Sequence, residues 1–329
     1  MQYFVTAVVV SYNRADLLAE CLAAMDAQER RPDRLVIVDN ASTDRAPRVA
    51  RDFAARTAID TDVVALRVNT GGAGGFAAGM ALALDSDVPH GDIPYIWLMD
   101  DDTVPSPGAL AELLRAADAC AAQNHCLPAA LGSKAVWTDG REHLMNKPRP
   151  RPRLAKGERG LAAFPDAYQV RSLSFVSCLV NADAARALGR LPRAAYFLWN
   201  DDYEYTTALL RDHIGYYVPA SVVTHKTKVF GSSDADPGPR FYNEVRNKVW
   251  MWRFSRRNLT LGEKLTYWPR AVRRWVLTWF RSDDPATIDD CFLRGWRDGW
   301  HERPQDTIDL LRWAGLDVPA STPGMPGWE

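Results

Sequence analysis

An α/β fold built on a mainly parallel, helix-covered sheet is what the first 125 or so residues predict, on three observations. Apolar strand-like runs alternate four times with helical patterns. Each run is continuous rather than alternating with polar residues, as in strands buried on both faces. Each also ends in a polar or glycine-rich turn, where ligands bind in sheets of this kind.

Phe4–Val10 is the first strand, β-branched throughout most of its length. It is followed by the turn Ser11-Tyr12-Asn13-Arg14 and by a helix with apolar positions Leu17, Leu18, Cys21, Leu22 and Met25. Arg34–Val38 is the second strand, ending at Asp39-Asn40, with Ser42, Thr43 and Asp44 as turn or cap material. Asp62–Val68 is the third, leading into a Gly71–Gly75 loop and a helix from about Phe76 to Leu84. Such a loop lets backbone approach a ligand closely. It does not match an ATPase phosphate loop, and the first strand–helix turn lacks the dinucleotide fingerprint. The fourth strand, Tyr95–Met99, runs into Asp100, Asp101 and Asp102 and precedes a helix from Gly108 to about Ala122.

Lys147–Arg153 alternates basic residues with proline and reads as an exposed loop. Val170–Val180 is strand-like, Ala182–Leu188 is a short helix, and a further helix is expected over Glu204–Arg211. Ile214–Pro219 and Ser221–Thr224 are extended, bringing His225 after a β-branched pair. Gly231–Pro239 is a turn-rich loop and Ser321–Glu329 a loose tail.

Three adjacent aspartates at the end of a buried strand repel one another unless a cation sits among them. A hard divalent ion, held by carboxylates and by a ligand's phosphates, meets that need; an acidic turn capping the next helix is the plainer alternative. Asp39 is suited to hydrogen-bonding a base or ribose. A second acidic pair, Asp201-Asp202, follows about a hundred residues later. Glycosyl transfer calls for this division of labour: a cation neutralises the departing diphosphate, and a separate carboxylate takes the proton of the attacking hydroxyl. His225 is either structural or a further metal ligand.

The formal charge of −1 over 329 residues makes no overall case for nucleic acid. Five cysteines without a CxxC pair point to reduced thiols and a cytoplasmic setting. The opening MQYFVTAVVVSYN lacks a basic leader and a cleavage pattern, and is too short to span a bilayer. Charge is nonetheless uneven. Arg240–Arg281 carries eleven Lys/Arg against two acids, together with five tryptophans. Trp268, Val272, Trp275 and Trp279 fall at helix-face spacing, with Arg270, Arg273 and Arg274 close by. The pattern resembles an interfacial helix resting on an anionic membrane; a helical subdomain packed through its tryptophans is the alternative.

The segments AVVVSYNR, VIVDNAST at Val36–Thr43, NTGGAGGFAAGM at Asn69–Met80 and YIWLMDDD at Tyr95–Asp102 are similar to those of the nucleotide-diphospho-sugar glycosyltransferases of family 2. FLWNDDYEY at Phe197–Tyr205 and VTHK at Val223–Lys226 extend the likeness over about residues 3–250. The glycine-rich version, with Phe241-Tyr242-Asn243 and Arg246-Asn247, resembles the galactofuranosyltransferases; rhamnosyltransferases of polysaccharide and lipopolysaccharide assembly are close relatives.

The resemblance implies a GT-A fold, with a catalytic domain over 1–239, split into a nucleotide-sugar part (about 1–125) and an acceptor part (about 165–239). A basic, Trp-rich helical region over 240–320 and a tail over 321–329 follow. It also implies an inverting, metal-dependent transfer of galactofuranose from UDP-galactofuranose, or of rhamnose from dTDP-rhamnose, to a lipid-linked or saccharide acceptor at the inner face of the cytoplasmic membrane. Ser11, Asn13, Arg14, Asp39, Gly74 and Gly75 would bind the nucleotide and donor, with Asp100 and Asp101 beside them. Asp100, Asp102 and His225 would hold Mn²⁺ or Mg²⁺. The base would be Asp202, with Asp201 as the alternative, and Trp199 and Glu204 would line the acceptor or sugar pocket. Trp268, Arg273, Arg274, Trp275 and Trp279 are the membrane-surface candidates. An oligomer is compatible with all of this. A sugar-nucleotide pyrophosphorylase would need a basic glycine-rich loop near the first strand, which Ser11–Arg14 does not supply. A catalytically inactive, transferase-like binding protein fits poorly with two intact acidic clusters.

Overall fold

The computed structural model describes residues 1–231 and 236–323; part of the expected 231–239 loop and most of the expected 321–329 tail lie outside the described residues. The elements run β1 (Tyr3–Ser11), α1 (Ala15–Asp26), β2 (Arg34–Asp39), α2 (Ala46–Ala54), β3 (Asp60–Ala65), α3 (Gly71–Leu84), β4 (Ile93–Asp100), β5 (Thr103–Pro105), α4 (Ala109–Asn124) and β6 (Ala130–Val136). They continue with α5 (Lys156–Arg159), β7 (Gly160–Leu161), β8 (Phe164–Gln169), β9 (Ser177–Asn181), α6 (Ala182–Leu188), α7 (Asp201–Leu209) and β10 (Gly215–His225). Four helices close the described chain: α8 (Phe241–Phe254), α9 (Leu261–Arg281), α10 (Pro285–His301) and α11 (Thr307–Trp313).

The strands form one sheet in the order β3-β2-β1-β4-β9-β6-β10-β8-β7, with β5 paired to β10. The first four are parallel, as expected for the nucleotide half. Beyond β4 the sheet is mixed: β9 runs antiparallel to both β4 and β6, while β6 and β10 are parallel. Alternate residues of β1 feed two cores, because successive side chains point to opposite faces. Val5, Ala7 and Val9 meet α1 and α4 through residues such as Leu18, Leu22, Leu110 and Leu113. Val8 and Val10 meet α3 on the other side through Phe76, Ala77 and Met80.

The register places three strand ends side by side, Ser11 opposite Asp39 and Val10 opposite Asp100. That edge is where the site forms. Gly71–Gly75, expected as a ligand-binding loop, is instead the first turn and more of α3. Gly74 and Gly75 are buried, and a Cβ on Gly75 would come 2.3 Å from Val10 Cγ1. The missing side chain of Gly75 seats α3 on β1, and that of Gly74 makes room for Thr70, so both glycines have a packing role in place of the expected loop. Gly71 keeps a different constraint: at φ +69°, its added Cβ would lie 1.9 Å from the Phe197 carbonyl oxygen.

The C-terminal helices divide. α8, α9 and α10 gather round Phe241, Val245, Trp275, Ile288 and Cys291. α11 returns to the α3 side of the sheet, where Leu311 and Ala314 join the core and the Arg67 N–H donates to the Ala314 carbonyl at 2.8 Å.

Candidate active site

Asp100 closes β4, and Asp101 and Asp102 turn back into the protein, where both are buried. Antiparallel pairing of β5 with the end of β10 sets His225 opposite Thr103, so its ring reaches Asp102: Nε2 lies 3.3 Å from Oδ1. The Lys226 N–H donates to the Asp102 carbonyl at 2.8 Å, pinning the turn. One ligand atom each from Asp100, Asp102 and His225 can lie within 4.8 Å of the others. Two carboxylates and an imidazole are a donor set for Mn²⁺ or Mg²⁺, so the residues present fit the cation.

The electrostatics agree with that fit. Burial pushes the Asp100 carboxyl well above its usual range, with Asp102 and Asp101 adding to the effect. Burial raises Asp101 to about 6 against the pull of Arg14. Asp102 is lowered: burial opposes its charge, but the His225 ring and the Arg14 guanidinium outweigh it. Arg14 Nη1 is 2.5 Å from Asp102 Oδ2 and 3.4 Å from Asp101 Oδ1. One guanidinium against three carboxylates leaves the cluster short of positive charge.

Neighbouring turns supply the rest of this wall. The Asn13 side-chain oxygen accepts from the Thr43 N–H at 2.7 Å, tying the first turn to the one after β2. Asp39 is buried, with Oδ1 unpartnered among the described residues, and the buried Ser11 hydroxyl stands against the Asp101 carboxylate. A buried carboxylate oxygen left without a partner at a strand end has room for a hydrogen-bond donor.

Asp201 and Asp202 open α7 and do not precede it, because the helix starts three residues earlier than expected. Asp201 is buried and its carboxyl is pushed up to about 8, by burial first and Asp202 second. Asp202 is half-buried and raised by burial, but it accepts from the Tyr203 N–H at 2.6 Å and is favoured in its charged form by Ser174, Lys248 and the Phe175 N–H. Phe175 lies just before β9, whose Ser177 pairs with Met99 of β4. The pairing of β4 with β9 therefore brings the second acidic cluster against the first, and Asp201 contributes to the upward shift of Asp100.

A strained loop aims that second cluster. Phe197, Trp199 and Asn200 all have φ between 62° and 66°. The loop holds because α8 clamps it. Asn247 Nδ2 donates to the carbonyls of Tyr196, Leu198 and Trp199 at 2.9–3.0 Å, while Lys248 Nζ donates to Asn200 Oδ1 at 2.8 Å. Trp199 is half-buried beside the aspartates, with Arg240 over its ring at 5.4 Å. Neither Asn247 nor Lys248 has a role legible in the sequence; an Asn and a Lys near Glu244 on one helix do not announce the loop they meet.

Two expectations are corrected. Glu204 does not line a pocket. It is fully buried, with Oε1 bound by Arg190 Nη2 at 2.8 Å, Arg193 Nε at 3.2 Å and Ser255 Oγ at 2.7 Å. Burial alone would raise it, yet Arg190 and Arg193 hold it at about 2. Its stabilisation is present above the ordinary glutamate range and is lost as pH falls toward 2. Glu204→Ala is expected to destabilise the fold by roughly 3–5 kcal/mol, read from denaturant melts, by removing the buried carboxylate that Arg190 and Arg193 share. Trp275 is likewise no surface residue: it is 8% exposed and packs on Phe292 and the α8–α10 cluster. Trp268 is half-buried against Trp252 and Tyr267, and Arg274 reaches the buried Glu244 at 4.0 Å. Trp279 and Arg273 are exposed.

Several known proteins are similar to this chain. Galactofuranosyltransferase GlfT1 of Mycolicibacterium smegmatis is 44% identical over 104 residues, 31% of this chain and 31% of the relative. GlfT1 of Mycobacterium tuberculosis is 44% identical over 100 residues, 30% of each chain. The matched stretch thus spans less than a third of either relative. Among solved structures, the mannosyltransferase PcManGT of Pyrobaculum calidifontis, in complex with GDP-Man and Mn²⁺, superposes with a TM-score of 0.53 at 16% identity, over 96% of this chain and 80% of that one. S. aureus TarS 1-349 superposes with a TM-score of 0.50 at 15% identity, over 99% and 100%. These likenesses establish the GT-A fold. The model of the family described as Glycosyl transferase family 2 matches residues 6–187, more than half of the sequence, and the chain belongs to that family of glycosyltransferases.

Proposed function

We propose that this glycosyltransferase moves galactofuranose from UDP-galactofuranose to a hydroxyl of a lipid-linked saccharide in cell-surface polysaccharide assembly, with inversion at the anomeric carbon. The observation that carries the reading is the Asp100/Asp102/His225 group, with Asp201 near enough to raise the Asp100 carboxyl. The 44% relatives favour the galactofuranosyl donor, and the Mn²⁺ complex of PcManGT favours a divalent cation.

In this reading Ser11, Asn13 and Asp39 hold the nucleoside, Asp101 lies beside the donor sugar, and Arg14 turns from the aspartates to the diphosphate. Asp100, Asp102 and His225 would hold Mn²⁺ or Mg²⁺, which when bound neutralises charge on the departing nucleoside diphosphate. Asp202 takes the proton of the acceptor hydroxyl as its oxygen attacks, and Trp199 walls the sugar pocket. No covalent sugar–enzyme intermediate forms. Purified protein offered UDP-galactofuranose or dTDP-rhamnose with a lipid-linked acceptor mimic is expected to add galactofuranose, detected by mass. Transfer from dTDP-rhamnose alone would reassign the donor.

Membrane contact belongs to α9, though on a different set of residues from the tryptophan face. No described helix is long and apolar enough to cross a bilayer. At 100° per residue, exposed Leu261, Leu265, Val272, Val276, Trp279 and Phe280 share an arc of about 100°, with exposed Arg273 at its edge and exposed Arg270 and Arg281 farther round the helix. An apolar stripe with cations to one side suits the inner, anionic leaflet. In flotation with anionic vesicles, Arg270→Glu with Arg273→Glu is expected to weaken binding by well over tenfold, each lost cation being worth about 1 kcal/mol. Val272→Asp with Val276→Asp should also release the protein. Concentration-dependent dimers without flotation would instead give this face to a second copy.

A further inference from the structure

His225 meets Asn146, a residue on the connection between β6 and α5, through its other ring nitrogen. His225 Nδ1 lies 3.0 Å from Asn146 Oδ1. The Asn146 amide nitrogen donates to Ser174 Oγ at 3.3 Å, which orients the amide oxygen toward the histidine. Nδ1 of His225 therefore carries the hydrogen. Nε2, which faces Asp102 at 3.3 Å, is the ring nitrogen left to ligate a cation. Ser174 in turn stands against the Asp202 carboxylate.

The turn that presents Asn146 is itself anchored. The Asn146 N–H donates to the His143 carbonyl at 2.9 Å. His143 is fully buried, places Nε2 2.9 Å from Thr227 Oγ1, and packs its ring 5.2 Å from that of His225. Asn146 is half-buried and lines a small cleft together with Ser174.

The geometry points to Asn146 as a positioning residue that fixes the metal-binding tautomer of His225 and, through Ser174, steadies Asp202. One amide then ties the cation half of the site to the base half. The inference rests on the functional reading above, which gives His225 and Asp202 their roles.

Three variants test it, with Mn²⁺ uptake in the presence of UDP measured by titration calorimetry at pH 8 and thermal melts as a control for folding. Asn146→Ala is expected to weaken Mn²⁺ binding roughly ten- to a hundredfold, the usual cost of losing a ligand's outer partner. Asn146→Asp keeps an acceptor for Nδ1–H and should bind Mn²⁺ as the wild type does, while turnover falls because the donor to Ser174 is gone. Ser174→Ala should lower kcat several-fold with Mn²⁺ affinity unchanged. Wild-type affinity in Asn146→Ala, or equal weakening in Asn146→Ala and Asn146→Asp, would overturn the inference alone. A wild-type chain that takes up no Mn²⁺ would overturn the functional reading and this inference with it.

Discussion

Asp202→Asn is expected to lower kcat by two to four orders of magnitude while Mn²⁺-dependent UDP binding stays within about twofold of wild type, since general-base removal costs about that much. The two aspartates of the pair differ in what surrounds them. Asp201, pushed up to about 8 by burial and then by Asp202, holds its proton more firmly than an ordinary carboxyl and is the weaker candidate for the hydroxyl proton at neutral pH. Asp202 is raised by burial too, but the Tyr203 and Phe175 N–H groups, Ser174 and Lys248 all favour its charge. A base with a raised pKa works above that pKa. Turnover of the wild type should therefore fall as pH drops, on a limb above the ordinary aspartate range, and the residual rate of Asp202→Asn should not show that limb. Undiminished turnover in this variant would move the base to Asp201.

Asp102→Asn is the second large effect, and it should act on binding as well as on rate. Asp102 is the one member of its cluster held below the usual carboxylate range, with the His225 ring and the Arg14 guanidinium outweighing burial. It is thus the carboxylate most available to a cation at neutral pH, while Asp100 is driven upward by burial and by its neighbours. The amide keeps the shape but loses the charge. Mn²⁺ and UDP binding, followed by calorimetry, should each weaken by at least about a hundredfold, beyond the cost of losing an outer-shell partner. Unchanged binding of both would remove Asp102 from the metal site.

The strands and the acidic ends were legible because both are local. Val5 to Val10 and Tyr95 to Met99 announce buried strands, and three aspartates in a row announce a charge problem wherever they fold. Side-chain destinations set by distant partners were not legible. Glu204 reads like its neighbours Asp201 and Asp202, yet one helical turn carries it away from the cleft and onto Arg190 and Arg193. Trp275 shares a face with Trp268 and Trp279 by spacing, but α10 packs over that part of the helix and leaves the Val272–Val276 side open. Gly75 looked like a ligand loop because glycine serves close approach of any kind; here the approaching group is Val10. Asn146 stands in an unremarkable segment, and Asn247 belongs to a family-like pair that carries no hint of its contacts. Each becomes meaningful only through carbonyls or a ring brought in by the fold.

The most direct measurement is the position of bound manganese. Crystals grown with Mn²⁺ and UDP, examined by anomalous diffraction, should show one ion among Asp100, Asp102 and His225, with the diphosphate on it and Asp202 across the same cleft. An ion seated elsewhere, or a diphosphate on the far side of the sheet from Asp202, would contradict the account.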